Sequence, residues 1–291
     1  MSINHEPYIF VLDLDGTIIG DCTYQCEIYN IQEIIKNNLI QNKHQIQKLQ
    51  LGHNKYRTLC DKSLGECYNT CSKLIRPYFG LFINKIKKYF PNSYFFVYTA
   101  SEKSWALKEI AIIEKHHKIK FNRPIFTRDN CIPDSAGNLK KSIVKILPII
   151  MKVAKISSAT SIKNKLLIID NNPTFIDHTD NLLICPTYDF LQFHNLWDNI
   201  PQNYEKINEL KSYVNKLITE QKIHPSFKSS NSVTLEKIHK WLYKKYKKIN
   251  KNNASYHHDM FWKKLAYNII KNNVIAFTKK TVRTLQKSIR K

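Results

Sequence analysis

The chain has 291 residues, of which 43% are hydrophobic and 12% aromatic, enough to bury a full core in one or two domains. It has no run of 18 apolar residues and no basic N-terminal region leading into an apolar run, so we expect neither a membrane span nor a secretory signal. Residues 201–291 hold 21 Lys and Arg against 5 Asp and Glu, which places +16 of the net charge of +23 in the last third. This excess predicts an anionic partner, such as nucleic acid, an acidic protein or an anionic membrane, although a solvated basic helical surface explains it equally well.

The first predicted element is a buried strand over residues 8–12, "YIFVL", whose residues are aromatic, β-branched or large. Side chains alternate along a strand, so Asp13 and Asp15 point the same way and repel each other unless a cation lies between them. Gly16 then permits a sharp turn. The simpler interpretation is a strand that ends in an ordinary Asp-Gly turn.

Residues 21–75 are predicted to be a helical insertion, because the connection to the next strand is far longer than a crossover needs. We expect the insertion to cover the active site or to offer an interaction surface, since it leaves the sheet just after the two aspartates. Five of the seven cysteines lie within it, in pairs spaced to share a helix face and hold zinc; buried, reduced thiols are the alternative. These residues are Cys22, Cys26, Cys60, Cys67 and Cys71.

Helices and strands then alternate. The stretch 74–90 predicts a crossover helix, with Pro77 near its start, and "SYFFVYTAS" (93–101) predicts a second strand. A helix follows over about 102–116, for which Ser101 is a plausible N-cap, and "KLLIID" (165–170) predicts a third strand. This order indicates a parallel sheet with crossover helices.

Each predicted strand ends in polar side chains: Asp13 and Asp15, then Thr99, then Asp170 and Asn171. Ligands of parallel α/β sheets bind beyond the carboxyl ends of the strands, so we expect these side chains to form one site. From about residue 200 the chain reads as basic amphipathic helices. We therefore predict a domain over 1–200 and a separate helical module over 201–291.

The ordered set resembles the haloacid dehalogenase superfamily, and more closely the FCP/SCP-type (NLI-interacting factor-like) phosphatases that act on the C-terminal domain of RNA polymerase II. The resemblance covers roughly 8–195. It is carried by the Asp-x-Asp-x-Thr motif of residues 13–17, by Arg76-Pro77, and by "VYTAS", "FNRPIFTRDNC" and "IIDNNPTFIDH". Two features depart from that family: Gly16 stands where Glu is frequent, and the 21–75 insertion is unusually large.

The resemblance implies a Rossmann-like parallel sheet and assigns roles. Asp13 would be the nucleophile that forms an aspartyl-phosphate, and Asp15 the general acid and then base. Thr99 would hydrogen-bond a phosphate oxygen. A lysine would neutralise the transferring group; Lys140 matches best, and Lys141, Lys152 and Lys155 stay open. A Mg²⁺ ion would be held by Asp13, the Asp15 backbone carbonyl, Asp170 and Asn171.

The implied function is a Mg²⁺-dependent phosphatase for phosphoserine and phosphothreonine in a protein substrate, linked to transcription and working inside the cell, in the cytoplasm or nucleus. One alternative is a phosphatase for nucleotides or nucleic-acid ends, with 201–291 gripping backbone phosphates and Trp241, Tyr243, Tyr246 and Trp262 offering stacking surfaces. Another is a structural or binding protein on the same scaffold, for example in a large or viral assembly such as a virion. The sequence predicts no oligomeric state.

Overall fold

The computed structural model describes residues 7–20, 75–188 and 259–290, together with isolated positions at 34, 208–209 and 212. Three predictions lie outside the described residues: the zinc-binding cysteines, the placement of the 21–74 part of the insertion, and the helices over most of 201–258.

The described chain forms a four-stranded parallel sheet flanked by helices, which confirms the predicted α/β class. The strand order is β2-β1-β5-β6, and a separate two-stranded hairpin joins β3 to β4. In chain order the elements are β1 (Tyr8–Leu12), α1 (Phe79–Tyr89), β2 (Ser93–Val97), α2 (Lys103–His117), a 3₁₀ turn (Arg128–Asn130), β3 (Ile132–Pro133), β4 (Leu139–Lys140), α3 (Ile143–Ala154), α4 (Ala159–Ile162), β5 (Leu166–Asp170), a second 3₁₀ turn (Thr179–Asn181), β6 (Leu182–Ile184), α5 (Phe261–Lys271) and α6 (Lys279–Arg290).

Alternate residues of each strand enter two different cores. Phe10 and Leu12 of β1 face a core shared with α1, α2, α5 and α6, whereas Ile9 and Val11 face a core closed by α3. Both faces are therefore covered, as expected for a parallel sheet whose strands are apolar on both sides. The predicted buried strand over 8–12 is confirmed.

The two ends of the insertion meet beside β1. Ile19 pairs with Ile75 in an antiparallel bridge, and the Arg76 backbone N–H donates to the Ile18 carbonyl at 2.8 Å. The insertion thus leaves and re-enters the fold at one point, next to the end of the strand that carries the two aspartates. Pro77 lies two residues before α1, where its missing N–H costs no helical hydrogen bond.

The last two helices are part of the main core. Trp262 of α5 is fully buried, with its ring centroid 5.1 Å from that of Phe79 and 4.7 Å from that of Phe82. Just before α5, Asp259 pairs with the buried Arg76 guanidinium at 3.0 Å. Removing one partner of such a buried pair typically costs about 3–5 kcal/mol, so this contact ties the tail to the end of the insertion.

Helix α6 covers the edge of the sheet. The Gln286 side chain accepts a hydrogen bond from the Ile184 N–H at 2.7 Å and donates another to the Ile184 carbonyl, much as a neighbouring strand would. An edge strand without such a cover exposes backbone groups that can pair with another chain. Across the described ranges, the helices are too short or too polar to cross a membrane.

Residues 259–290 therefore differ from the separate module predicted for 201–291, because they share the core of the sheet. A division near residue 200 stays a prediction for the segment up to 258. The burial of Trp262 also removes it as a surface for stacking nucleic-acid bases.

We expect Trp262→Ala to lower the free energy of unfolding by about 3–5 kcal/mol, because it leaves a cavity between α5 and α1. Tyr267→Ala, on the exposed side of the same helix (54% exposed), should change it by less than about 0.5 kcal/mol. Urea denaturation of the full chain measures both. A Trp262→Ala effect as small as that of Tyr267→Ala would show that α5 does not belong to the core.

Candidate active site

The ends of β1, β2 and β5 bring five predicted side chains together at the carboxyl edge of the sheet. β1 lies between β2 and β5, in parallel with both, so the residues after these strands meet. The structure joins Asp13, Asp15, Thr99, Asp170 and Asn171 in one set of contacts.

The centre of the site is the ammonium group of Lys141. Its Nζ lies 2.6 Å from Asp13 Oδ1 and 2.7 Å from Asp170 Oδ2, and all three side chains are buried. Burial alone would lower the pKa of Lys141, but the charges of Asp13 and Asp170 outweigh it and raise the pKa above its ordinary value. Lys141 is therefore a fixed positive charge between two carboxylates.

The structure places Lys141 in the site and directs Lys140, the best sequence match, elsewhere. Neighbouring residues in an extended segment point to opposite sides, so only one of the two lysines can face the aspartates. Lys140 points outward, with its Nζ 3.8 Å from Asp134 Oδ2. Lys152 and Lys155 are exposed near the far end of α3, about 14 Å and 18 Å along a helix that starts beside the site.

Two sets of contacts hold Lys141 in place. Its backbone pairs with the Phe175 segment: the Lys141 N–H donates to the Thr174 carbonyl at 3.0 Å, and the Ile176 N–H donates to the Lys141 carbonyl at 3.0 Å. The Asp177 carboxylate accepts the Ile143 N–H at 2.7 Å at the start of α3. A carboxylate at a helix N-terminus is stabilised by the free N–H groups there.

Asp15 is turned away from Lys141. Its Oδ2 accepts hydrogen bonds from Ser101 Oγ at 2.6 Å and Thr99 Oγ1 at 3.2 Å. Burial raises the pKa of Asp15 to about 6; the Ser101 hydrogen bond opposes this rise and the nearby Asp13 charge adds to it. A carboxyl group with this pKa can both hold and release a proton near neutral pH.

Ser101 lies in the site, although the sequence pattern does not predict it as a site residue. It was predicted to cap the following helix, but the N-cap position of α2 is Glu102, and the Ser101 hydroxyl bonds to Asp15 instead. Its position two residues after Thr99 was the available signal, because both side chains then face the same edge.

The carboxyl group of Asp170 also has a raised pKa. Burial and the neighbouring Asp13 charge raise its pKa to about 6, while Lys141 and a 2.7 Å hydrogen bond from the Asn172 N–H act in the opposite direction. The charged forms of Asp13 and Asp170 are thus stabilised by the same ammonium group, that of Lys141.

Thr17 and Asn171 lock the loop after β1 against the loop after β5. The Asn171 N–H donates to Thr17 Oγ1 at 3.1 Å, and Thr17 Oγ1 lies 3.1 Å from Asp13 Oδ2. Gly16 makes this approach possible. It adopts a φ of +75°, which strains any residue with a Cβ, and a Cβ there would lie 2.6 Å from the end of the Asn171 side chain, so a Glu would displace Asn171.

The same loops present an oxygen-rich position. One terminal atom of the Asn171 amide lies 3.2 Å from both the Asp15 carbonyl oxygen and Asp13 Oδ2. As nitrogen, it donates to both; as oxygen, it faces two other oxygens, an arrangement that a bound cation would stabilise. Neighbouring ligands of an octahedral Mg²⁺ lie about 3.0 Å apart, so this spacing fits the ion.

Side chains alone do not form a metal cluster in the described ranges: no three His, Cys, Asp or Glu groups converge there. Asp15 can contribute only its backbone carbonyl, since its carboxylate faces Thr99 and Ser101. The donor set is therefore a mixture of carboxylate, carbonyl and amide oxygens, which suits Mg²⁺ better than zinc.

Comparison with known proteins places this chain in a family. The profile of the NLI interacting factor-like phosphatases matches residues 8–224. Two solved structures cover 97% of the chain at 16% identity: Fcp1, an essential RNA polymerase II CTD phosphatase (70% of that chain, TM-score 0.37), and a beryllium fluoride complex of a fission yeast Fcp1 variant (71%, TM-score 0.36). A search of curated proteins gives no match. The chain belongs to the NLI interacting factor-like phosphatase family.

Proposed function

We propose that the chain is a Mg²⁺-dependent phosphatase that hydrolyses phosphoserine or phosphothreonine in a protein through an aspartyl-phosphate on Asp13. The observation that carries the proposal is the placement of Lys141 between Asp13 and Asp170, with Asp15 turned aside and hydrogen-bonded. Two aspartates two residues apart thus have different surroundings, which is how paired carboxylates acquire different roles.

Asp13 is suited to attack phosphorus. Lys141 and Thr17 lie on its two carboxylate oxygens, and they would hold it in one orientation as the substrate approaches. A carboxylate needs no deprotonation to act as a nucleophile at neutral pH. The Lys141 charge would also stabilise the negative charge of the transferring phosphoryl group.

Asp15 is suited to move protons. With its pKa near 6, it can protonate the leaving serine or threonine oxygen and then take a proton from the attacking water. Thr99 and Ser101 fix the carboxyl group for both steps. A structural role alone would not require one aspartate paired with a lysine and a second that readily holds a proton.

A Mg²⁺ ion would be held by Asp13, the Asp15 carbonyl, Asn171 and Asp170. Bound there, it would screen the phosphate charge and relieve the repulsion between carboxylates. Lys141 occupies the space between Asp13 and Asp170 in the structure, so Asp13 and Asp170 would divide their oxygens between the ammonium group and the metal.

One observation on the tail favours a protein substrate over a nucleic acid. Trp262, one of four aromatic side chains considered for base stacking, lies inside the core. The other three fall outside the described residues. The family is one of phosphatases, and Fcp1, to which the chain is similar, is described as an RNA polymerase II CTD phosphatase.

The direct experiment is to assay the purified full chain on a phosphoserine peptide and on oligonucleotides carrying 3′- or 5′-phosphate. We expect Mg²⁺-dependent release of phosphate from the peptide, abolished by EDTA and restored by added Mg²⁺, because the donor set requires a hard cation. Faster release from the oligonucleotides, or full activity in EDTA, would contradict the proposal.

The two adjacent lysines give a second, sharper prediction. Lys141→Met should lower kcat by about 10²–10³-fold, because the charge that faces Asp13 and the phosphoryl group is lost while the volume is kept. Lys140→Met, at the outward-facing neighbour, should stay within about twofold. Circular dichroism confirms that both variants fold. Equal losses, or a larger loss for Lys140→Met, would show that Lys141 is not the catalytic lysine.

A further inference from the structure

Helix α6 has one apolar and one strongly basic side. Val282, Leu285 and Ile289 are buried in the core, whereas Lys280, Arg283 and Lys287 are exposed. The three exposed cations are spaced by three and four residues, so they form a single stripe about 10.5 Å long on the helix surface. We call these three residues the basic stripe.

The charges of the basic stripe are not balanced by the described part of the protein. Helix α6 contains no acidic residue, and the ion pair found on it joins its first residue, Lys279, to Asp180 at 2.7 Å. No Asp or Glu of the described ranges pairs with the stripe itself. Like charges three and four residues apart on a helix destabilise it slightly, and a bound anion would relieve this repulsion.

The stripe leads toward the active site. Lys279 pairs with Asp180 just before β6 begins, and Gln286 bonds to Ile184 at the end of β6, so α6 runs in the same direction as the strand. Ile184 pairs in turn with Asp170, whose carboxylate contacts Lys141. Lys287, next to Gln286, therefore lies at the catalytic edge of the sheet.

These features fit an extended acidic peptide better than a nucleic acid. The length of the stripe, about 10.5 Å, equals about three residue steps of extended chain, so acidic or phosphorylated side chains within four successive residues match it. A phosphorylated side chain carries close to two negative charges and pairs well with Arg and Lys. Proteins that bind single strands combine basic grooves with exposed aromatic rings, and the basic stripe has none.

We propose that the basic stripe binds acidic or phosphorylated residues of the protein substrate that flank the phosphate being hydrolysed, which makes the enzyme prefer multiply phosphorylated segments. This inference rests on the proposed protein phosphatase activity. It names Lys280, Arg283 and Lys287 as specificity residues that touch the substrate outside the reacting group.

The test compares two peptides of one sequence, the first with a single phosphoserine and the second with two further phosphoserines on one side. The measured quantity is the ratio of kcat/KM for the second peptide to that for the first, with release from each site resolved by mass spectrometry. We expect the variant K280Q/R283Q/K287Q to lower this ratio about tenfold, the effect of three ordinary exposed ion pairs. The ratio of the wild type should also fall in 0.5 M salt, where exposed charges are screened over about 4 Å.

The matched control is K85Q/K88Q/K118Q, which removes the same charge from exposed lysines of α1 and the end of α2. These residues lie toward the opposite, amino end of the sheet, so the ratio should stay at the wild-type value. A ratio lowered equally in both variants, or in neither, overturns the proposal.

Binding to the Asp13→Asn chain separates this proposal from the proposed function. Fluorescence anisotropy should show weaker binding of the triply phosphorylated peptide when the stripe is neutralised. If that holds while the wild type hydrolyses neither peptide, the activity assignment fails and the docking surface stands. If neutralising the stripe weakens binding of an oligonucleotide and leaves peptide binding as it was, the surface serves nucleic acid and the proposal is wrong.

Discussion

One buried ammonium group, that of Lys141, holds together the candidate active site of this protein. The parallel order of the sheet places Asp13 and Asp170 on neighbouring strands, at the same end and inside the protein. Two buried carboxylates so close together would not both stay ionised without a partner. The Nζ of Lys141, less than 3 Å from each, is that partner. The strand order therefore places the two carboxylates where one lysine can neutralise both.

Several features of the fold serve to hold this lysine. Its backbone is paired with the segment around Phe175, and Asp177 fixes the first turn of the helix that follows it. On the other side, Gly16 lets the loop after β1 approach Asn171 closely enough for Thr17 to reach both Asn171 and Asp13. In contrast, the Asp15 carboxylate accepts its hydrogen bonds from the hydroxyl groups of Thr99 and Ser101 and not from the ammonium group. This difference in surroundings is the basis of the roles proposed for them, nucleophile for Asp13 and proton carrier for Asp15.

Much of the fold and of the site could be predicted from the sequence because both follow from local patterns. Apolar runs over 8–12 and 166–170 give strands, and the polar residues after them meet at one edge once the sheet is parallel. The choice between Lys140 and Lys141 could not be made this way, since it depends on which side of a short hairpin strand faces the sheet. Spacing to the next motif carries no information about that orientation.

The packing of the tail, residues 261–290, could not be predicted from local sequence patterns either. An amphipathic pattern in 261–290 indicates that one face of each helix is buried, but not what buries it. The contact between Arg76 and Asp259 joins residues 183 positions apart, and no local pattern announces it. The β6 strand, of three residues, is likewise too short to be distinguished from a loop by periodicity.

In the proposed mechanism, Asp13 carries the phosphoryl group during turnover. The most direct measurement is to quench the full chain in acid while it turns over a phosphoserine peptide, reduce the acyl phosphate with borohydride, and locate the modified residue by peptide mass spectrometry. We expect Asp13 alone to be converted to the alcohol, hydroxylamine to remove the label beforehand, and Asp13→Asn to show none. An active enzyme with no modification at Asp13, or with the label on another residue, would contradict it.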